Sequence, residues 1–413
     1  MRRDRILFFL LALIALPAVA AEEPAPEQLL AQTLIANRHA LSLENGALQG
    51  EGADLLLRRA SDAQFVLLGE DHGFAEPPRL AVALNGMLGK NAFPHLVIET
   101  GPYAAQLLGE ISFQQVSGLV RRYPGVFPFF DWQEDAAMAA RWSADKNTVD
   151  PLWGIDQEFI LGTQLYLQRL VDLAPDTQTR AVAEGYLAKA RAADARMVAQ
   201  HDPEQMYLPT MMRADFAALR KGAVPAAVSL IDALDESAEI YRLQNTQAYR
   251  SNRMRSELMK RQFMRHYRAA QARGEALPRA MFRMGAYHMY RGLTPTNQFD
   301  IGNLASELAA GNGGNSLHVL VIPAGGTQNR KRPFLADESL RSAAYDAEAE
   351  LEPLGAKPLL QAALPKDWVV IDLAPLRSMR KARMAAGPEF ERLVFAYDLV
   401  VVIPEASAAL DFQ

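Results

Sequence analysis

Three ionisable groups stand side by side in "FVLLGEDHGFAEPP", residues 65–78: an apolar run stops at a glycine and gives way to Glu70, Asp71 and His72. Glu70 and His72 are two residues apart, so on an extended chain they face the same side. A carboxylate that orients and charges an imidazole makes a general base, able to activate water near neutral pH. The alternative is a helix N-terminus, where acids satisfy free N–H groups, and Asp71 is assigned mainly to that role.

Three further apolar runs end in the same way. Glu99 closes "HLVIETG", Asp156 with Gln157 and Glu158 closes "LWGIDQE", and "MFRMGAYHMYRG" leads to His288 and Arg291. An acid after a strand is a common turn former, so each ending has a structural explanation of its own. Together they predict one crevice at the carboxyl ends of a parallel sheet. Two carboxylates such as Glu70 and Glu99 would share a proton or hold a cation. Glu70, His72, Glu99 and His288 are also residue types that suit zinc, manganese or iron, although they lack the helical HExxH spacing.

Two other stretches bear on such a crevice. In "SNRMRSELMKRQFMRHYR", residues 251–268, Arg255, Met259, Gln262 and His266 share a helical face, and Glu257 and Arg261 are spaced to pair. Arg255 is the candidate to stabilise negative charge on a carbonyl oxygen. The other arginines read as a solvated face, and His266, His39, His95, His201 and His318 as packing or surface residues. In "YPGVFPFFDWQED", residues 123–135, Phe127, Phe129, Phe130 and Trp132 lie in a loop punctuated by Pro and Gly. They form an apolar wall for an organic ligand or pack the loop onto the core.

The elements that must position these residues follow from the apolar pattern. Continuous runs at 65–68, 96–98, 152–155, 281–284, 317–322, 368–371 and 399–403 read as strands covered on both faces. Leu80, Leu84, Met87 and Leu88 share one helical face between the first two, a βαβ unit. From about 161 to 275 Ala, Leu, Arg, Gln and Met dominate and no strand is expected, only helices broken at Pro203, Pro209 and Pro225. The prediction is an α/β fold: a mostly parallel central sheet flanked by helices, with a helical insertion.

The N-terminus has the form of a secretory signal over residues 1–20: Arg2, Arg3 and Arg5, an apolar run from Ile6 to Leu16, and Ala18-Val19-Ala20 as a cleavage site. Residues 21–45 read as linker and N-terminal segment, with a helix start near Gln28, and 46–413 as one domain. A run this short does not span a bilayer, which needs about 20 residues. The expected location is the periplasm or outside the cell. There is no cysteine, which excludes disulfides, thiolate nucleophiles and a lipidated N-terminal Cys. No basic block points to nucleic acid, and the net charge is a mild -5. No G-x-S-x-G elbow supports a serine nucleophile.

The motifs, taken in order, resemble the erythromycin-esterase-like superfamily, which includes ChaN-like haem-binding proteins and TraB/Tiki-type proteins. "LLGEDHG" followed by "LVIETG", then "LWGIDQE", "RSELM", "MGAYHMYRG" and "AYDLVVVIPEA", match its strand ends across residues 60–404. The resemblance implies that His72 activates water, that Glu70 and Glu99 are the carboxylates around it, and that Arg255 and His288 bind substrate or stabilise the transition state. Asp156 and Arg291 join the expected substrate-binding residues. One residue separates Glu70 from His72, where the esterases usually have two, and Gly285 stands where they have a first histidine. The implied function is hydrolysis of an ester, lactone or amide in a small organic or peptide substrate, without a covalent intermediate and with or without a divalent metal ion. The alternative is a binding protein for haem or another apolar ligand.

Overall fold

Each of the seven apolar runs forms a strand, and the full order shows what flanks them. The computed structural model describes residues 24–89, 92–145, 147–330 and 341–412; the signal-like segment lies outside them. In chain order the strands are β1 (Arg38–Glu44), β2 (Ala47–Gln49), β3 (Ala63–Glu70), β4 (His95–Ile98), β5 (Leu152–Gly154), β6 (Ala280–Gly285), β7 (Asn315–Pro323), β8 (Thr327–Asn329), β9 (Ser342–Ala344), β10 (Trp368–Asp372) and β11 (Leu399–Ile403). Nine of them make one sheet in the order β2-β1-β10-β11-β7-β3-β6-β4-β5, and β8 pairs with β9 separately. From β11 to β5 every neighbouring pair is parallel; β10, β1 and β2 extend the sheet antiparallel.

Every residue of β3 is buried, so the strand needs apolar side chains on both faces. Burial of a side chain such as Phe65 or Leu67 contributes roughly 1.5–3 kcal/mol. Register then aligns the strand ends: Glu70 pairs with Gly285, and Ile98 with both Arg283 and Gly154. The polar residues that follow β3, β4, β5 and β6 therefore emerge at one edge.

Between the strands run α1 (Pro26–Ala36), α2 (Glu51–Ser61), α3 (Glu76–Leu88), α4 (Pro102–Glu110), α5 (Phe113–Arg122) and α6 (Gln133–Ser143). Residues 21–45 thus hold α1, where a helix start is expected near Gln28, and the strand β1, which lies between β2 and β10. Leu30, Leu34 and Leu41 of this segment are buried. The insertion is helical throughout: α7 (Thr163–Leu173), α8 (Thr177–Gln200), α9 (Arg213–Arg220), α10 (Pro225–Gln244) and α11 (Ala248–Ala272). Pro225 opens α10, while Pro203 and Pro209 sit in single 3-10 turns between α8 and α9. Tyr166, Leu170, Leu187, Phe216 and Leu234 give this part a small core of its own. After β6 comes α12 (Ile301–Gly311).

Candidate active site

Glu70 is the last residue of β3, and the chain must turn at once to bring His72 back over it. Gly73, directly after His72, leads the chain away at φ +92, and a Cβ there would collide with the Asn329 carbonyl oxygen. His72 Nδ1 then lies 2.8 Å from Glu70 Oε1. Its other nitrogen, Nε2, lies 3.3 Å from Glu99 Oε2, across the end of β4. Gly285 fits between: a Cβ would stand 3.2 Å from His72 Nε2, and the Gly285 N–H donates to Glu99 Oε2 at 2.6 Å.

Glu99 Oε1 faces two more cations, Arg255 Nη2 at 2.7 Å and His288 Nε2 at 3.5 Å. Arg255 reaches in from α11 and is gripped by Asp156, with Nε on Oδ1 at 2.9 Å and Nη2 on Oδ2 at 2.5 Å. His288 Nδ1 is held by Asp300 Oδ2 at 2.7 Å, while Asp300 Oδ1 caps α12 by accepting from Ile301 N. Six of the seven expected site residues, Glu70, His72, Glu99, Asp156, Arg255 and His288, are therefore brought together.

Arg291 is not among them. It bonds Ser306 and Asp398, just before β11, away from this edge. Asp71 does not cap a helix either: α3 begins at Glu76, and Asp71 Oδ2 accepts from the Tyr345 hydroxyl at 3.0 Å. Glu257 pairs with Arg253 rather than Arg261, which reaches Glu236 on α10. His266 is a packing residue, bonded to Asp150 and stacked against Trp153.

Sequence reasoning missed three supports. Arg283, completely buried in β6, places Nη2 2.7 Å from Glu70 Oε1 and 2.6 Å from Asp135 Oδ1 on α6. An arginine inside an apolar strand was the available signal, since such a charge persists only when paired. Asp300 could have been found as an acid directly before a helix. Phe129 stacks on His72 with ring centroids 3.6 Å apart; its loop had been noticed, its partner had not.

Burial opposes a charge on His72, but Glu99 and Glu70 outweigh it and hold the imidazole up to about 9. Burial likewise opposes His288, Asp300 overcomes it, Arg255 pulls against, and Glu99 adds, leaving it at about 10. Burial would raise Glu99, yet His288 and His72 keep it well below the usual carboxylate range. Burial pushes Asp135 up to about 7 despite Arg283.

These residues do not fit a metal centre. Among the described residues no three His, Asp or Glu side chains converge as ligands would. Both nitrogens of His72 face carboxylate oxygens rather than a common ligand centre.

A crevice of about 250 Å³ opens onto Glu70, His72, Glu99 and His288, with Leu320, Ile322, Leu351 and Leu354 on its apolar side. Cavities of about 480 and 510 Å³ lie near Trp142 and near Leu34, and neither is lined by a histidine. Two loops wall the site. The segment at Gly73 takes hydrogen bonds from Asn329 N and Ala409 N, and the aromatic loop is tied through Gln133 N to Leu410 O. Glu76 and Glu134 accept from Ser407 N and Leu410 N, so residues 407–410 brace both walls.

The sheet and its polar strand-end crevice define a fold shared with three solved structures. The chain is similar to an erythromycin esterase, EreC, with a histidine-to-asparagine substitution and in its open conformation: identity is 15%, covering 87% of this chain and 95% of that one, at TM-score 0.54. It is similar to a succinoglycan biosynthesis protein at 12% identity, over 94% and 99% of the two chains, TM-score 0.56. A Bacillus cereus protein matches at 14%, over 94% and 100%, TM-score 0.56. At these identities the likeness is one of fold. No family model matches the sequence, and no curated protein matches it. Among the described residues no helix is long and apolar enough to cross a membrane.

Proposed function

We propose that the protein is a periplasmic or secreted hydrolase that cleaves ester, lactone or amide bonds with water activated by His72. The observation that supports this most is the placement of His72, with Nδ1 on Glu70 and Nε2 turned toward Glu99 and the crevice. In its neutral form His72 takes a proton from water, and the resulting hydroxide attacks the carbonyl carbon. The oxyanion so formed faces the His288 imidazolium and the Arg255 guanidinium, charges already oriented by Asp300 and Asp156. As the tetrahedral intermediate collapses, the carbonyl re-forms, the bond to the leaving oxygen or nitrogen breaks, and His72 returns its proton to that atom. No bond to the protein forms at any stage.

Haem is not favoured as the occupant: the crevice is small, and Glu70, Asp71, Glu99 and Glu350 on its walls would repel the propionates. Mature protein is screened on small esters, lactones and peptides, with and without a chelator, beside His72→Ala and His288→Ala. The expected result is turnover lost in both variants and indifferent to the chelator. Turnover in both variants at the parental rate, or a haem absorption band with no hydrolysis, would remove the proposal.

A further inference from the structure

In the loop before α6, Phe127, Phe130 and Trp132 are completely buried anchors, whereas Phe129 keeps part of its surface exposed. Phe129 sits at φ +60, a left-handed conformation that a bulky side chain rarely adopts. The strain persists because the chain on both sides is fixed. Phe130 N bonds Phe127 O at 3.1 Å, and Gln133 N bonds Leu410 O at 2.8 Å. What the conformation achieves is a face-to-face stack, with the Phe129 ring 3.6 Å from the His72 ring and only 15° from parallel. An aromatic face also attracts an imidazolium.

We infer that Phe129 is a positioning residue: its stack blocks rotation of the His72 ring, so that Nδ1 stays on Glu70 and Nε2 stays aimed into the crevice. This rests on the hydrolase reading for its effect on rate, but not for its effect on the ring itself. Strain at a residue that touches the candidate base, in a loop otherwise well packed, is a feature that packing alone does not require. The hydrogen bond to Glu70 fixes one edge of the imidazole; the stack fixes its plane.

The test compares Phe129→Leu, Phe129→Tyr and the parent, with Phe129→Met in place of Leu should that variant not fold. The first readout needs no substrate. The ring 15N resonances of His72 report the bond from Nδ1 to Glu70, so they keep one hydrogen-bonded pattern in the parent and in Phe129→Tyr and shift toward those of a freely rotating imidazole in Phe129→Leu. The second readout is turnover of an ester found in the screen. Phe129→Leu lowers kcat about ten- to a hundredfold with KM within about threefold, and Phe129→Tyr restores it. Unchanged His72 resonances in Phe129→Leu, or an unchanged kcat, would overturn the inference. If the parent hydrolyses nothing, the hydrolase reading fails, and the resonance shift alone decides whether Phe129 orients the ring.

Discussion

Histidine, aspartate and arginine make two networks on this sheet, with opposite results. At the carboxyl edge, His72 and His288 face Glu70, Glu99 and Asp300, and both imidazoles are held charged, at about 9 and about 10. Below the start of β11, His318 lies among Asp398, Arg291 and Arg377. There burial, reinforced by Arg291, pushes the imidazole down to about 3. Asp398 is saturated: it accepts from Arg291 at 3.2 and 2.9 Å, from Arg377 at 2.9 Å, and from His318 N at 3.0 Å. His318 is spent as well, on Met289 O and Ser316 Oγ. At the other edge Glu70 Oε2 is buried with no hydrogen-bond partner, and the charges open onto a crevice. A closed network fixes the fold; an open one has capacity left for a ligand.

The contrast is most severely tried by paired removal. His72→Ala lowers kcat/KM by about 10²–10⁴, whereas Arg291→Ala leaves it within about threefold. Equal losses, measured on one ester, would erase the distinction between the edges. Next comes pH. His72 acts as base only when neutral, and at about 9 only about 1% is neutral at pH 7. Between pH 7 and 9 kcat/KM therefore rises about fiftyfold, roughly tenfold per unit at first, then levels. A profile already flat at pH 7 would show that some other group is the base.

Stability should respond oppositely at the two edges. The folded pKa of His72 lies above its ordinary 6.5, so its contribution is complete below 6.5 and fades as pH rises through about 9. His318 lies below 6.5, so its contribution is complete above 6.5 and fades as pH falls toward about 3. The His72 limb is on the order of 3 kcal/mol and the His318 limb on the order of 5 kcal/mol. Denaturant unfolding at several pH values checks this: His72→Gln should make the alkaline limb, which His288 shares, shallower, and His318→Gln should make the acid limb, which the depressed carboxylates share, shallower. The smallest effect concerns Phe129. Glycine tolerates φ +60 and alanine does not, so Phe129→Gly should unfold at a midpoint equivalent to about 1 kcal/mol more stability than Phe129→Ala. The reverse order would deny the strain.

What could be read from the sequence divides along a physical line. The seven buried strands were legible because both faces are covered and the apolar runs are unbroken. So were the strand-end acids Glu70, Glu99 and Asp156, since parallel register must gather them. Strand β1 was not, because Arg38, His39 and Glu44 give it the composition of a loop. The fate of Arg291 was equally hidden. Three residues past His288 it belongs to the other network, because Met289 and Tyr290 run buried between the two. Asp300 and Phe129 depend on loop conformations, whose partners lie far away in sequence and leave no periodic trace.

The strap at residues 407–410 sets an order of events. Ser407 reaches Glu76 across 331 positions, so both walls of the crevice wait for the last tenth of the chain. Contacts of such separation form late. A nascent chain would hold His72 in an unfinished cleft, and competence for chemistry would come only once the far end of the polypeptide had docked.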